Sequence, residues 1–218
     1  MNKVWSEENK SMQLLLKKEE TFSQSIDTLL ALRRSLFAEV TRMARELPPE
    51  AFWQMPFARA AGYHSKTLAY SVWHVFRIED IVVHELIVPG EQVLSAGGFR
   101  ERIGADRVTT GNELQGQQLV EFSRSLDVPA LVDYAGAVKA ASDEMLKGLT
   151  FRDLKRKVGT PERERLLCSG GVSPDENAAW LVDYWCGKDV GGLLKMPLSR
   201  HWIMHIEAML RIADRLNR

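Results

Sequence analysis

The sequence lacks a charge excess of either sign: its 218 residues set 29 Lys and Arg against 29 Asp and Glu. Nucleic-acid binders show a basic excess or a basic stripe, because phosphate contacts supply most of their affinity. The densest basic stretch, Arg152-Asp153-Leu154-Lys155-Arg156-Lys157, is interrupted and followed by acids and reads as a solvated face. Cysteine is scarce as well. Cys168 and Cys186 are too few and too far apart for a zinc-ribbon spacing. Long apolar runs are missing too: nothing approaches the 18 or so residues of a membrane span. The leucine run Leu14-Leu15-Leu16 is preceded by charged residues and closed by Lys17-Lys18, so no secretory signal fits. No convincing strand pattern is present. The expectation is a soluble, cytoplasmic protein with reduced thiols.

What is there is helical periodicity. The length suits a single domain over residues 1–218, burying about 70% of the surface of the unfolded chain. Such a chain needs no structural metal to fold, so a bound metal points to function. In the first helical segment Ile26, Leu29, Leu30, Phe37, Val40, Met43 and Leu47 recur at three- and four-residue spacing until Pro48-Pro49 stops it. Residues 6–20 form either its extension or a separate short helix. The second segment runs from about Ser65 to Val88 and is stopped by Pro89-Gly90. The third begins near Asp127-Val128-Pro129, where Asp127 or Ser125 can cap and Pro129 suits the first turn. The fourth opens near Pro197 and runs to the C-terminus. The connection from Pro89 to Leu126 is long for a compact domain and includes Gly90, Gly97, Gly98, Gly104 and Gly111. It can cross a whole bundle, so the helices it joins need not be antiparallel. Short helices are expected within the connections, at Leu114–Phe122 and Asp175–Trp185.

The histidines carry the functional signal. With His201 set at zero and about 100° per residue, His205 lies at about 40°, Ile212 at about 20° and Leu198 at about 60°. Arg200, Glu207, Arg211, Asp214 and Arg215 fall between about 220° and 320°. Both histidines therefore face the core, one turn apart, the arrangement by which two imidazoles converge on one ion. On the second helix, His74 borders an apolar arc formed by Ile78, Val82, Val75, Leu68 and Leu86. His84 falls at about 280°, beside Arg77, Asp80 and Trp73, on what reads as the polar side. His74 is therefore chosen as the third ligand and His84 rejected, while His64, ahead of the helix, reads as a loop or capping residue. A lone histidine on an apolar face, such as His74 taken singly, is more often a satisfied core residue than a ligand; the HxxxH pair is the stronger signal.

At this point the sequence resembles the DinB/YfiT-like superfamily. Trp73-His74-Val75-Phe76-Arg77-Ile78-Glu79-Asp80 is similar to its tryptophan-histidine…glutamate-aspartate stretch, and Arg200-His201-Trp202-Ile203-Met204-His205 to its HxxxH signature. The likeness continues through Ile103-Gly104-Ala105-Asp106-Arg107…Thr110-Gly111 and Leu131-Val132-Asp133-Tyr134-Ala135-Gly136-Ala137-Val138, covering roughly residues 20–216. It implies an all-α fold, a four-helix bundle of up-down-down-up topology. It also implies a divalent ion, often zinc or nickel, on His74, His201 and His205, and commonly a homodimer. Some members are thiol-dependent enzymes, the bacillithiol transferases and a mycothiol-dependent isomerase. The latter branch has a glutamate where this chain has His201, which argues against that isomerase activity.

Three neutral imidazoles leave a divalent ion its full charge and an open position, competent to activate either a water or a thiol. The leading expectation is metal-dependent transfer of a low-molecular-weight thiol to an electrophilic small molecule. A hydrolase of the same architecture, or a metal-binding dimeric stress protein without turnover, are the alternatives. Glu79, on the inward side of the second helix, is the candidate for orienting a ligand histidine or shuttling a proton. The plainer reading is a buried salt bridge to an arginine such as Arg200. Trp180, Tyr184, Trp185 and Trp202 are pocket walls or, more simply, core and interface filling. Cys186 is a reactive thiol or, more simply, a small buried hydrophobe.

Overall fold

The computed structural model describes residues 2–217. Among them the protein is all-helical, and the only β-type pairing is an isolated bridge between Lys157 and Asp189. The α-helices in chain order are α1 (Lys3–Leu15), α2 (Phe22–Glu46), α3 (Leu68–Ile81), α4 (Val93–Ala96), α5 (Phe99–Ile103), α6 (Gly116–Ser125), α7 (Val128–Gly148), α8 (Thr160–Cys168), α9 (Glu176–Cys186), α10 (Val190–Lys195) and α11 (His201–Leu216). No helix is long and apolar enough to cross a membrane among the described residues.

The terminators and caps act where the sequence puts them. α2 ends at Glu46, just ahead of Pro48-Pro49. Asp127 accepts from the backbone N–H of Ala130 at the start of α7, with Pro129 in the first turn. The segment ahead of α2 is the separate helix α1, packed on α2 through the buried Trp5 and Met12. α3 starts later than the periodicity suggests, at Leu68, because Thr67 caps it by accepting from Tyr70 N–H. It then loosens into a π-helical turn, Val82–Ile87, before Pro89. The last helical stretch has a similar break. α10 precedes it, and the π-helical turn Met196–Arg200 carries Pro197, whose ring nitrogen has no proton to give the ladder.

α2 packs against α7 and α11, and α3 packs against the same two helices. The core falls into two clusters. One takes Leu32 to Leu47 of α2 and its end, Leu68 to Phe76 of α3, Val128 to Val138 of α7 and Trp202 to Ala213 of α11. The other takes Ile26 and Leu29 of α2, Ile78 and Ile81 of α3, Leu146 of α7 and Leu198 just ahead of α11. Between them lies a polar knot around Arg33, which is fully buried. Its guanidinium donates to both oxygens of Glu79 at 2.7 and 2.8 Å, to Asp143 at 2.7 Å and to the Leu198 carbonyl at 3.1 Å. Trp202 Nε1 donates to the same Glu79 at 2.8 Å, and the guanidinium carbon lies 4.4 Å from the Trp202 ring centroid. Burial disfavours the charge on Arg33, but Glu79 and Asp143 outweigh it and raise its pKa.

Removing one partner of a buried, hydrogen-bonded ion pair strands the other, so Arg33→Ala is expected to cost about 3–5 kcal/mol of stability. Arg33→Lys keeps the charge but not the two-pronged geometry, and should recover only part of it. Denaturant unfolding at an unchanged m-value measures both; a loss for Arg33→Ala within about 1 kcal/mol, as at a surface pair, would contradict a central role for the knot.

Candidate metal centre

His74 sits mid-way along α3, while His201 opens α11 and His205 follows one turn later. All three are buried, with 5%, 7% and 2% of their surface exposed. The structure brings them together as the helix phases indicate. A ring nitrogen of each lies within 4.8 Å of a ring nitrogen of the other two, and Nε2 of His74 stands 3.3 Å from Nε2 of His201. Two nitrogens held tetrahedrally at about 2.0–2.1 Å from one zinc ion stand about 3.3 Å apart, so the spacing suits a shared ion.

The hydrogen-bond inventory makes the same point chemically. His74 Nδ1 lies 3.0 Å from the Thr110 carbonyl, an acceptor that requires the proton on Nδ1 and turns the Nε2 lone pair toward the other two rings. Tyr70 stacks on the His74 ring at 5.4 Å and fixes its plane. Nδ1 of His201 and both nitrogens of His205 have no hydrogen-bond partner in the protein. Orphaned buried nitrogens cost about 1–3 kcal/mol each. A divalent ion would take one nitrogen from each ring, and the donor set therefore fits one. Among the described residues no fourth histidine, cysteine or carboxylate joins the group.

The three histidines line a cavity of about 270 Å³, walled by Trp185, Leu181 and Pro197 and rimmed by Tyr63, Trp180 and Tyr184. Tyr63 approaches His205 edge-on at 4.7 Å. Asn112 adds a polar side chain to the wall. Tyr63 and Asn112 were not singled out by the sequence. Asn112 follows the Thr110-Gly111 pair, whose place beside His74 is the signal that points to it.

The other expected site residues divide. Glu79 is spent on Arg33 and Trp202 and does not line the cavity; its arginine partner is Arg33, since Arg200 is exposed. His84 stays out of the group, as expected, but its supposed polar side is not one. Arg77 and Asp80 are 1% and 0% exposed, because the connection after α3 folds back over them. Asp80 accepts from Val93 and Leu94 N–H, Arg77, and the Tyr134 hydroxyl. Burial would raise its pKa, yet His84, Arg77 and the Val93 N–H outweigh burial and lower it. His64 lies in a short 3-10 turn with Nε2 3.2 Å from Arg211. Trp202 is core, Trp185 is core and cavity wall, and Trp180 and Tyr184 are rim. Cys186 does not line the cavity, and partial burial raises its thiol pKa.

Burial lowers the pKa of His74 to about 4, and burial together with the neighbouring rings puts His201 and His205 well below the ordinary value. An unfolded histidine titrates near about 6.5, so between that pH and about 4 the unfolded chain holds more protons. Stability of the metal-free protein from these groups is therefore present above about pH 6.5 and is lost as the pH falls below it. Unfolding free energies measured from about pH 7.5 to 5 should fall more steeply for the wild type than for His201→Phe. Parallel slopes would contradict the buried, neutral state of the cluster. Compared with known proteins, the chain matches no family model, and no curated protein is significantly similar to it.

Proposed function

We propose that the protein is a metal-dependent enzyme that transfers a low-molecular-weight thiol to an electrophilic small molecule, with a divalent ion, zinc or nickel, on His74, His201 and His205. The observation that carries this reading is the convergence of three buried histidines, with unpartnered nitrogens, on the wall of one cavity. A non-catalytic metal store would be better served by a closed ligand set without a cleft. The helix arrangement supports the resemblance to DinB/YfiT-like proteins. α2 and α11 both run from the second core cluster toward the first, whereas α3 and α7 run the other way. That order agrees with an up-down-down-up four-helix bundle.

The residues favour thiol transfer over hydrolysis. When bound, a divalent ion supplies Lewis acidity, lowering the pKa of a thiol or water beside it. Among the described residues no carboxylate lines the cavity, and Glu79 is committed to Arg33. Hydrolysis of an amide or ester gains from a general acid that protonates the leaving group. Thiol transfer needs less. The thiol gives its proton to solvent, sulfur forms a bond to the electrophilic carbon, and the leaving group departs with the electron pair of the broken bond. Asn112 can hydrogen-bond the substrate, the Thr110 carbonyl keeps His74 in one tautomer, and the aromatic walls offer the substrate an apolar surface.

Cobalt-substituted protein tests the reading, because sulfur ligation adds a charge-transfer absorption in the near ultraviolet. Titrating bacillithiol or another small thiol at neutral pH is expected to produce that band, and His205→Ala to abolish it. If added anions perturb the cobalt spectrum and no thiol does, the hydrolase reading replaces thiol transfer; if neither perturbs it, the ligand sphere is closed.

A further inference from the structure

The outer wall of the cavity has a character that metal binding does not explain. α9 presents Trp180, Leu181, Tyr184 and Trp185 to it, a spacing that puts all four on one helical face. Trp185 is buried, but Trp180 is 51% and Tyr184 37% exposed, while the other tryptophans at the core are covered. The two exposed rings pack edge to face, with centroids 5.6 Å apart at 67°. Trp180 Nε1 donates to the Asn177 carbonyl at 3.0 Å, which satisfies its polar atom within the helix, and about half of the side chain stays exposed. Lys188 Nζ sits 4.0 Å from the Tyr184 centroid, engaged on that ring. Among the described residues no aspartate, glutamate, lysine or arginine lines the cavity. A charged ligand body would lose its hydration there and meet no charged side chain in the lining, the Lys188 ammonium being already engaged on the Tyr184 ring.

We infer that Trp180 and Tyr184 form an aromatic subsite that selects an uncharged, flat aromatic substrate, with its reactive carbon directed toward the three histidines. This rests on the proposed catalytic reading for the word substrate, but the subsite itself is a property of the chain. An aromatic guest gains edge-to-face and stacked contacts with both rings that a saturated ring of equal size cannot make. The cavity of about 270 Å³ admits a one- or two-ring body.

The test is calorimetric titration of the full chain, metal-free and zinc-loaded, with 2-naphthylmethanol, its fully saturated counterpart and 2-naphthoate. Neutral naphthylmethanol should bind both forms, and about fivefold or more tighter than the saturated alcohol. Metal-free protein should bind naphthoate more weakly than the alcohol. Trp180→Ala should weaken the aromatic alcohol about fivefold or more, and Trp180→Phe should restore most of the loss. Trp180 is half exposed, so both variants should keep the wild-type melting temperature. Equal affinity for the saturated alcohol, naphthoate binding as tight as the alcohol in metal-free protein, or indifference to Trp180→Ala overturns the inference. So does a Trp180→Ala variant that alters sedimentation and not ligand binding, since the rings would then cover a second copy of the chain. If zinc fails to bind while naphthylmethanol binds in a Trp180-dependent way, the metal reading falls and the subsite stands. If zinc binds and no aromatic does, the subsite falls alone.

Discussion

The constraint on which the rest depends is the burial of one guanidinium. Arg33 on α2 cannot leave water without partners, and it finds them on three other elements: Glu79 of α3, Asp143 of α7 and the Leu198 carbonyl ahead of α11. Trp202 of α11 completes the set by donating to Glu79. An uncompensated charge at this depth would cost several kcal/mol, so sliding one helix past another is penalised far more than in a purely apolar core. The histidines inherit that register. His74 lies little more than one turn before Glu79, and His201 is the neighbour of Trp202. The bond between Trp202 and Glu79 thus fixes the heights of α3 and α11 where the imidazoles must meet.

The connection after α3 does the corresponding work for orientation. Its successive carbonyls at Val108, Thr109 and Thr110 are taken by Arg77, Trp73 and His74, so one stretch of backbone is stitched along one helix. Gly111 follows at φ +79°, and a Cβ there would stand 3.1 Å from the Tyr70 ring that stacks on His74. A left-handed backbone and close approach to an aromatic both call for glycine at this point. The loop is therefore part of the wall behind His74 and carries the carbonyl that sets its tautomer.

Much of this was legible in the sequence, for identifiable reasons. The phase of His201 and His205 could be read because α11 has one apolar face and one charged face, and Asp127 and Pro48 mark helix ends by local chemistry. The helical wheel failed where its premise failed. It treats a charged face as solvated, but α3 is buried along its whole length, with Arg77 and Asp80 paired beneath the returning connection. The partner of Glu79 was out of reach for a similar reason. Arg33 lies 46 positions away along the chain, and only tertiary packing selects it over Arg200. The aromatic run of α9 was visible, but whether Trp180 points to core or cavity depends on how α9 is placed across the cavity from the histidines, which spacing does not encode.

The central claim is that His74, His201 and His205 hold one divalent ion with a position left open. X-ray absorption of zinc-loaded, untagged protein measures this most directly. The account predicts one ion per chain, with three imidazole nitrogens at about 2.0–2.1 Å and one further light-atom ligand that exchanges. The signal should persist in His84→Ala and vanish in His74→Ala. Sulfur in the first shell, four protein nitrogens, or a site emptied by His84→Ala and not by His74→Ala would contradict it.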